Sequence, residues 1–266
     1  LDNTWRTQEP TIKNLWEEVR FLQPIITEKL VIDGPFSKDI GKDIFDDRIE
    51  DEVVLCLNYD GKFGLNSINN YFQDANPSQK AYYWYEWKYK IGDPILFNEN
   101  KRFPMLYNNL KGIITDIKEE INGLKFTIDI PIILTAVNVR GTDLEIISHT
   151  EKTTRISFSV CINDDNQTEE DYDEARMKSI IPFQLAYAVS IHKAQGLEYT
   201  SVKIVIPQSN SERITHGVFY TAITRTKKKL KIYWSANTME DVISGFNEEK
   251  QSRISLDFIK GLISNN

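Results

Sequence analysis

The chain has 266 residues, of which 41% are hydrophobic and 27% charged, as is typical of a globular protein with one large or two ordinary domains. Its net charge of −7 argues mildly against a protein coated with nucleic acid, and no apolar run reaches the roughly 18 residues of a membrane-spanning helix. Cys56 and Cys161 lie in apolar segments, so we expect buried thiols, a cytoplasmic location and no metal site. Because the chain begins with Leu1 rather than Met, we expect a fragment of a longer polypeptide.

The first part of the chain alternates helix and strand. Residues 10–26 have apolar side chains at helical spacing, with Pro10 suited to the first turn and Thr7 to the cap. EVVLCLNY (52–59) predicts a buried strand, and LNSINNYF (65–72) predicts a helix after the turn DGKFG. This strand, turn and helix indicate the start of an α/β domain.

Charged residues are unevenly distributed. The acidic runs DDRIEDE (46–52) and DDNQTEEDYDE (164–174) predict solvated loops or hairpin tips. The main basic run is RTKKKLK (225–231), so the acidic total conceals a local positive segment.

The middle of the chain changes to strand patterns separated by turn signals. These patterns predict a small antiparallel barrel or sandwich over residues 77–171, inserted into one α/β domain made of 1–76 and 172–266. The five strand runs are IGDPILF, KGIITDI, LKFTIDIPIIL, LEIISHT and TRISFSVCI.

After the insertion the α/β pattern returns. LAYAVS and SVKIVIP predict strands that are joined by the polar segment HKAQGLE, a loop or helix start. RITHGVFYTAITRT predicts a helix with Ile214, Val218 and Phe219 on one face, followed by the strand KLKIYWS. TMEDVISGF and SLDFIKGLI predict terminal helices.

The polar segment 191–198 has the composition of a ligand loop. It follows a strand, and ligands bind at the carboxyl ends of strands in open α/β sheets. Gly196 permits close approach to a phosphate, Glu198 suits ribose hydroxyls, and Ser190 and His192 suit phosphate or sugar oxygens. An ordinary polar loop is the alternative interpretation of this segment alone.

Together, AVSIHKAQGLEY and YTAITRTKKKL resemble motifs V and VI of superfamily 1 helicases of the RecD-like and UvrD-like kind. LDNTWRT resembles motif IV, and VVLCLNYDGKFGLNSIN resembles the opening of the second RecA-like domain. IGDPILFNENKRFPMLYNNLKGIITDI resembles the start of the SH3-like insertion, with Asn109 where the family usually has Gly; Asn tolerates the positive φ that such a turn needs. Thr226 stands where many relatives have Ala.

The resemblance implies a fold and a set of roles. The fold is a RecA-like parallel-sheet domain, related to P-loop NTPases but without a P-loop, interrupted by a small antiparallel β-barrel or SH3-like insertion. Arg225 and Arg6 would contact the γ-phosphate, with Arg225 as arginine finger. The implied nucleotide contacts are Gly196, Glu198 and Trp5, and the implied nucleic-acid contacts are Ser190, His192, Lys193 and Asn58, while Lys193 and Gln195 fit either side.

One motif of the family is missing. The sequence contains no G-x-x-x-x-G-K-[ST], and no acidic strand end resembling a Walker B site precedes motif V. The resemblance therefore implies that ATP and Mg²⁺ bind in the full-length parent, with the missing N-terminal RecA-like domain of the same polypeptide. We expect this chain alone to bind no cofactor and to be inactive, and we expect single-stranded DNA or RNA as its partner.

Two other classes of function stay open at this point. The chain could be a non-enzymatic nucleic-acid-binding or regulatory module that has kept the fold without a motor. It could also be an unrelated α/β domain with a coincidentally polar loop.

Overall fold

A computed structural model describes residues 7–21, 44, 51–98, 101–162, 177–207 and 214–246. Within these ranges no helix is long and apolar enough to cross a membrane. The chain divides into two compact units, which are Leu1–Ile68 with Ala188–Asn266, and Asn69–Tyr187. In chain order, the elements are α1 (Pro10–Arg20), β1 (Glu52–Cys56), α2 (Leu65–Ala75), β2 (Tyr82–Trp84), β3 (Trp87–Tyr89), β4 (Pro94–Phe97), β5 (Lys111–Glu120), β6 (Gly123–Ile130), β7 (Glu145–His149), β8 (Thr154–Cys161), β9 (Phe183–Leu185), β10 (Ala188–Ser190), β11 (Tyr199–Val205), α3 (His216–Ile223), β12 (Thr226–Tyr233) and α4 (236–246).

The first unit is built on a parallel sheet with strand order β10-β1-β11-β12. Every residue of β1 is buried, as expected for a central strand that is covered on both faces. The predicted α/β class with a parallel sheet is therefore confirmed.

Helix α1 packs against α3 and β12 through the apolar face that its spacing predicted. Trp16 Nε1 donates to the Ile223 carbonyl at 3.1 Å, so the indole is satisfied in the core. The prediction that Thr7 caps this helix is wrong. The N-cap is Glu9, while the Thr7 hydroxyl accepts from the Glu9 amide and donates to the Lys227 carbonyl.

The second unit contains a six-stranded antiparallel sheet with strand order β7-β8-β6-β5-β4-β9, and the separate hairpin β2-β3. Strand β6 alternates strictly between half-buried and buried residues, so one face of the sheet carries the apolar core. Among the described residues, β7 and β9 are the outer strands of this row. The SH3-like classification of the sheet stays a prediction.

The five strand runs predicted in the middle of the chain correspond to β4 to β8, whereas β2, β3 and β9 were not predicted. LAYAVS was predicted as one strand, but its residues divide between two sheets: Leu185 ends β9, and Ala188 begins β10. The predicted limits of the insertion, 77–171, stay a prediction. The compact unit is wider because β9 pairs with β4 and the end of α2 bonds to Asp93.

Several smaller expectations can be compared with the structure. Asn109 has φ 66°, which confirms that it occupies the left-handed position expected at its turn. Both cysteines are free thiols, and burial raises the pKa of Cys56 to about 12. The predicted helix 238–246 lies within α4, and the second terminal helix, 255–263, lies outside the described residues.

Asp93 is a fully buried carboxylate at the centre of the second unit. Its oxygens accept from Gln73 Nε2 at 2.6 Å, Asn76 Nδ2 at 2.8 Å, the Tyr187 hydroxyl at 2.7 Å and the Lys90 amide at 2.8 Å. A buried charge is tolerated when hydrogen bonds replace its hydration. The carboxylate therefore joins α2, the turn before β4 and the chain after β9.

We expect Asp93→Asn to lower the free energy of unfolding by about 3 kcal/mol, because an amide NH₂ would replace one oxygen and face a donor. Asp74→Asn is the matched control. Its carboxylate pairs with Lys88, but the side chain is 69% exposed, so we expect less than about 1 kcal/mol. Urea unfolding of both variants measures the difference, and equal costs would contradict the role assigned to Asp93.

Candidate functional site

The ends of two neighbouring parallel strands bring predicted nucleic-acid residues to one edge. Ser190 is the last residue of β10 and is aligned with Cys56, the last residue of β1. The Ile191 amide donates to the Cys56 carbonyl at 3.2 Å, and Asn58 is the second residue after the end of β1. Asn58, Ser190 and the residue after Ile191, His192, therefore lie at the carboxyl edge of the sheet.

The connection from β10 to β11 is a series of tight turns. The Ala194 amide donates to the Ser190 carbonyl at 3.1 Å, and the Leu197 amide donates to the Ala194 carbonyl at 3.0 Å. Gly196 has φ 88°, a left-handed conformation that favours glycine, and a Cβ there would meet no atom within 4 Å. This bare backbone is open to a close approach by a ligand.

The far end of this connection lies at the opposite edge of the sheet. Strand β11 pairs with the first residue of β1 at Ser201, and it begins two residues earlier, at Tyr199, which pairs with Thr226 of β12. Glu198 and Arg225 directly precede Tyr199 and Thr226, so both lie at the amino ends of their strands. Tyr199 lies six residues before the level of Ser190 in the aligned strands, and at about 3.3 Å per residue this is a distance of about 20 Å along the strands. The expectation that the whole loop lies at the carboxyl edge therefore fails for Glu198.

Arg225 joins the two sequence motifs. Its side chain is buried, and its Nε donates to the Thr221 carbonyl at 2.9 Å. One terminal nitrogen donates to the Leu197 carbonyl at 3.2 Å, and the other donates to the Thr224 hydroxyl at 3.1 Å. The guanidinium therefore holds the loop beside Gly196 against the end of α3.

Two further contacts surround Arg225. Glu198 forms an ion pair with Lys227 at 3.4 Å, with both side chains partly exposed. The Thr7 hydroxyl donates to the Lys227 carbonyl, so the residue after Arg6 lies beside the start of β12. Trp5 and Arg6 themselves lie outside the described residues.

A cavity of about 360 Å³ separates the connection from α3. His192 and Gln195 line one side, and the N-cap residue Thr215 lies on the other. The first turn of a helix favours anions, so the wall of the cavity beside Thr215 is positively polarised. Its remaining lining residues are Ile191, Gly217, Val218 and Thr221.

Lys193 is partly buried beside this cavity. Its amide donates to the Ser190 hydroxyl at 3.3 Å. Desolvation by the surrounding protein lowers the pKa of its ammonium group from the ordinary value.

The structure thus divides the predicted residues into two groups at opposite edges of the sheet. Asn58, Ser190 and His192 lie at the carboxyl edge, and Glu198 and Arg225 lie at the amino edge. Thr221, Thr224, Lys227 and the Leu197 carbonyl were not predicted as partners of the site. The Thr224 hydroxyl, directly before Arg225 in the sequence, was a usable signal, whereas the acceptors at Thr221 and Leu197 are main-chain carbonyls that no residue type marks. Among the described residues no group of three or more His, Cys, Asp or Glu is placed to hold a metal ion.

In this parallel α/β unit, the polar connection from β10 to β11 lies beside α3, the helix that precedes Arg225. The UvrD-like helicase C-terminal domain family matches residues 185–233, which include β10, β11, α3 and β12.

Comparisons with known proteins agree with this class. RecBCD enzyme subunit RecD of Buchnera aphidicola subsp. Schizaphis graminum is 24% identical over 184 residues, which cover 68% of this chain and 24% of RecD. RecD of Mycobacterium tuberculosis (strain CDC 1551 / Oshkosh) is 34% identical over 58 residues, which cover 22% and 10%. The Pif1 helicase of Candida albicans shares the fold, with a TM-score of 0.56 and 14% identity over 99% of this chain and 60% of that protein.

These matches confirm the resemblance found in the sequence. The chain corresponds to the C-terminal part of a superfamily 1 helicase of the RecD-like and UvrD-like kind. It spans about a quarter of the length of the RecD proteins that it matches over most of its own length.

Proposed function

We propose that this chain is the C-terminal motor-domain part of an ATP-dependent DNA helicase. The observation that carries the proposal is the connection 191–198. One end presents His192 at the carboxyl edge of the sheet, and the other end is bonded to Arg225 through the Leu197 carbonyl. A short, tightly turned segment of this kind can transmit a change at a nucleic-acid contact to an arginine that acts on a nucleotide.

The amino edge is the proposed nucleotide side. Arg225 would act as arginine finger and Arg6 as a second γ-phosphate contact, with Trp5 near the base. Gly196 and Glu198 would line the same cleft, and the ribose would replace Lys227 as a partner of Glu198. ATP and Mg²⁺ would be held chiefly by a second RecA-like domain of the same polypeptide. When bound, ATP supplies a triphosphate whose charge draws the two domains together.

Arg225 must exchange partners to perform this role. A triphosphate offers charged oxygens to a guanidinium that now donates to the carbonyls of Thr221 and Leu197. Charge-assisted hydrogen bonds are about twice as strong as neutral ones, so closure of the cleft favours the exchange. The exchange frees the Leu197 carbonyl and thereby loosens the connection that leads to His192.

The carboxyl edge is the proposed nucleic-acid side. Ser190, His192, Lys193 and Asn58 would contact the sugar–phosphate backbone of a single strand, which is consistent with their short polar or cationic side chains. We also propose that residues 77–171, which lie within the second unit, are the SH3-like insertion of this family.

The contacts of Arg225 also favour a second candidate function. A guanidinium with three intrachain acceptors suits a non-enzymatic nucleic-acid-binding module, in which it only holds the loop. Both candidates bind single strands, but only the first requires turnover of ATP by the parent.

Binding of fluorescent oligo(dT) by the 266-residue chain tests the proposed groove. We expect Lys193→Ala to weaken binding about five- to tenfold and to lower the slope of log K against log salt by about 0.7, the value of one phosphate contact on a single strand. His192→Ala should also weaken binding, because it removes a polar side chain from the carboxyl edge of the sheet.

Lys152→Ala is the matched control, because this exposed lysine lies in the turn before β8. Its affinity and salt slope should equal those of the unaltered chain. If Lys193→Ala behaves like this control, the proposed nucleic-acid side is wrong.

A further inference from the structure

The hairpin β2-β3 exposes an unusual set of aromatic rings. Tyr83, Tyr85 and Trp87 are 64%, 69% and 58% exposed. They lie within nine residues of sequence, YYWYEWKYK, that no motif of the helicase resemblance uses. Soluble proteins seldom leave several large aromatic side chains together in water unless the patch binds something.

Three other aromatic residues anchor the same hairpin, and one of them, Trp84, pairs directly with Trp87. Tyr82, Trp84 and Tyr89 belong to the core of the second unit. Trp84 Nε1 donates to the Ser179 carbonyl at 2.9 Å, and the Tyr89 ring meets Phe126 edge to face at 5.4 Å. The exposed rings are therefore presented on a rigid base, which reduces the entropy lost when a ligand orders them.

Backbone strain at the turn between β2 and β3 also favours a binding role for the hairpin. Tyr85 has φ 53°, a left-handed conformation that costs a non-glycine residue about 1 kcal/mol and is usually occupied by Gly, Asn or Asp. Its ring meets Trp84 edge to face at 5.3 Å but is mostly exposed, so burial offsets little of this cost. Strained conformations of this kind cluster at binding sites.

Cations are interleaved with the rings. Residues 80–90 contain Lys80, Lys88, Lys90 and one glutamate, a net charge of 3 − 1 = +2 in a chain of net charge −7. Lys80 and Lys88 form ion pairs with Glu119 and Asp74, whose carboxylates are well exposed. Such exposed pairs are weak, and a polyanion competes for the lysines.

We propose that Tyr83, Tyr85 and Trp87 form a stacking platform for the unpaired bases of a single-stranded nucleic acid. The flat faces of aromatic rings bind bases of any sequence, and neighbouring lysines attract the phosphates. The platform rests on the proposed function, because its ligand is the single strand that the helicase part is proposed to bind. It requires unpaired bases, so DNA and RNA single strands both fit, whereas a blunt duplex does not.

Anisotropy of fluorescent oligo(dT) and oligo(U), with a blunt DNA duplex as comparison, tests the platform in the 266-residue chain. Trp87→Ala should weaken binding of both single strands about 5- to 100-fold, the range expected for one lost base stack. Tyr107→Ala is the matched control, since Tyr107 is 55% exposed in the same unit but lies outside the hairpin. The control should bind like the unaltered chain.

Tyr85→Asn separates binding from folding. Asparagine suits the left-handed position, so this variant should melt at the same or a higher temperature and yet bind less tightly. Trp87→Phe should retain affinity within about threefold while abolishing most of the quenching of tryptophan emission that oligo(dT) causes. A platform that only supports the fold would instead lower the melting temperature of Tyr85→Asn.

The outcomes distinguish the platform from the groove. If the hairpin variants bind like the unaltered chain while Lys193→Ala binds less tightly, the platform alone is wrong. The aromatic patch would then be a candidate site for a protein partner. Weaker binding by the hairpin variants, with Lys193→Ala unchanged, supports the platform and contradicts the proposed groove. No binding of single strands by the unaltered chain overturns both.

Discussion

Replacing Arg225 by alanine in the full-length parent is expected to lower ATP hydrolysis stimulated by single-stranded DNA by about 10³- to 10⁵-fold. The expected size follows from the role of arginine fingers, which stabilise charge that develops on the transferred phosphoryl group. In the structure, Arg225 already reaches the backbone beside Gly196, where a Cβ would meet no atom within 4 Å. Binding of single strands without nucleotide should change little, because Arg225 lies at the opposite edge from His192.

Arg225→Lys separates catalysis from packing. Lysine keeps the charge but lacks the planar fork, so turnover should also be severely impaired. A merely structural Arg225 predicts a lower melting temperature in both variants, with near-parental turnover per folded molecule. Lys228→Ala, an exposed change in the same basic run, is the control and should retain parental turnover. Parental turnover in Arg225→Lys would remove Arg225 from the proposed catalytic residues.

Replacing Lys203 by methionine is expected to cost about 3–5 kcal/mol in the free energy of unfolding. Lys203 and Glu52 are 2% and 7% exposed in the parallel sheet, with Nζ 3.0 Å from Oε1. The ammonium also donates to the Ile44 carbonyl at 2.9 Å, and the Ser201 hydroxyl donates to the Glu52 carboxylate at 2.7 Å. Removing the cation leaves a desolvated carboxylate without its opposite charge.

A double variant and a matched control sharpen this test. Glu52→Gln combined with Lys203→Met should be more stable than Lys203→Met alone, because no buried charge is left uncompensated. Lys80→Met is the control, because the ion pair of Lys80 with Glu119 is exposed and should contribute little to the free energy of unfolding. Urea unfolding measures all three variants. A cost below about 1 kcal/mol for Lys203→Met would show that the buried pair contributes little.

The buried pair also shows where sequence reasoning failed. Glu52 ends the acidic run DDRIEDE, which was predicted to be solvated, and begins EVVLCLNY, which was predicted to be a buried strand. It lies in the buried strand, so the expectation of a solvated run is wrong at this residue. Its partners, Ser201 and Lys203, lie about 150 positions later in the chain. No local pattern specifies such a pairing, because it arises only when two distant strands align in the sheet.

Strand patterns were informative where one face of a sheet is buried. The alternation in β6 and the apolar run of β1 were both recognised, because periodicity reflects burial directly. The hairpin β2-β3 was missed, because aromatic residues occupy both of its faces and no polar alternation marks it. LAYAVS was treated as one strand, because an unbroken apolar run does not show that the chain passes from one sheet to another.

The motif residues were found through their resemblance to a family rather than through periodicity. Ser190 and His192 lie where the strand pattern predicted, after a buried strand. The position of Glu198 at the other edge depends on the register of Tyr199 with Thr226, which sequence alone does not determine. The hydrogen bonds of Arg225 to main-chain carbonyls were equally unpredictable, since every residue offers such an acceptor.

The central claim is that this chain is part of a motor coupled to a single strand. The most direct test is the rate of ATP hydrolysis by the full-length parent, measured with and without oligo(dT), beside the same measurement on the 266-residue chain. The account predicts hydrolysis by the parent that oligo(dT) stimulates strongly, and none above background by the 266-residue chain. A parent that hydrolyses no ATP under both conditions would contradict the motor and favour a non-enzymatic nucleic-acid-binding module.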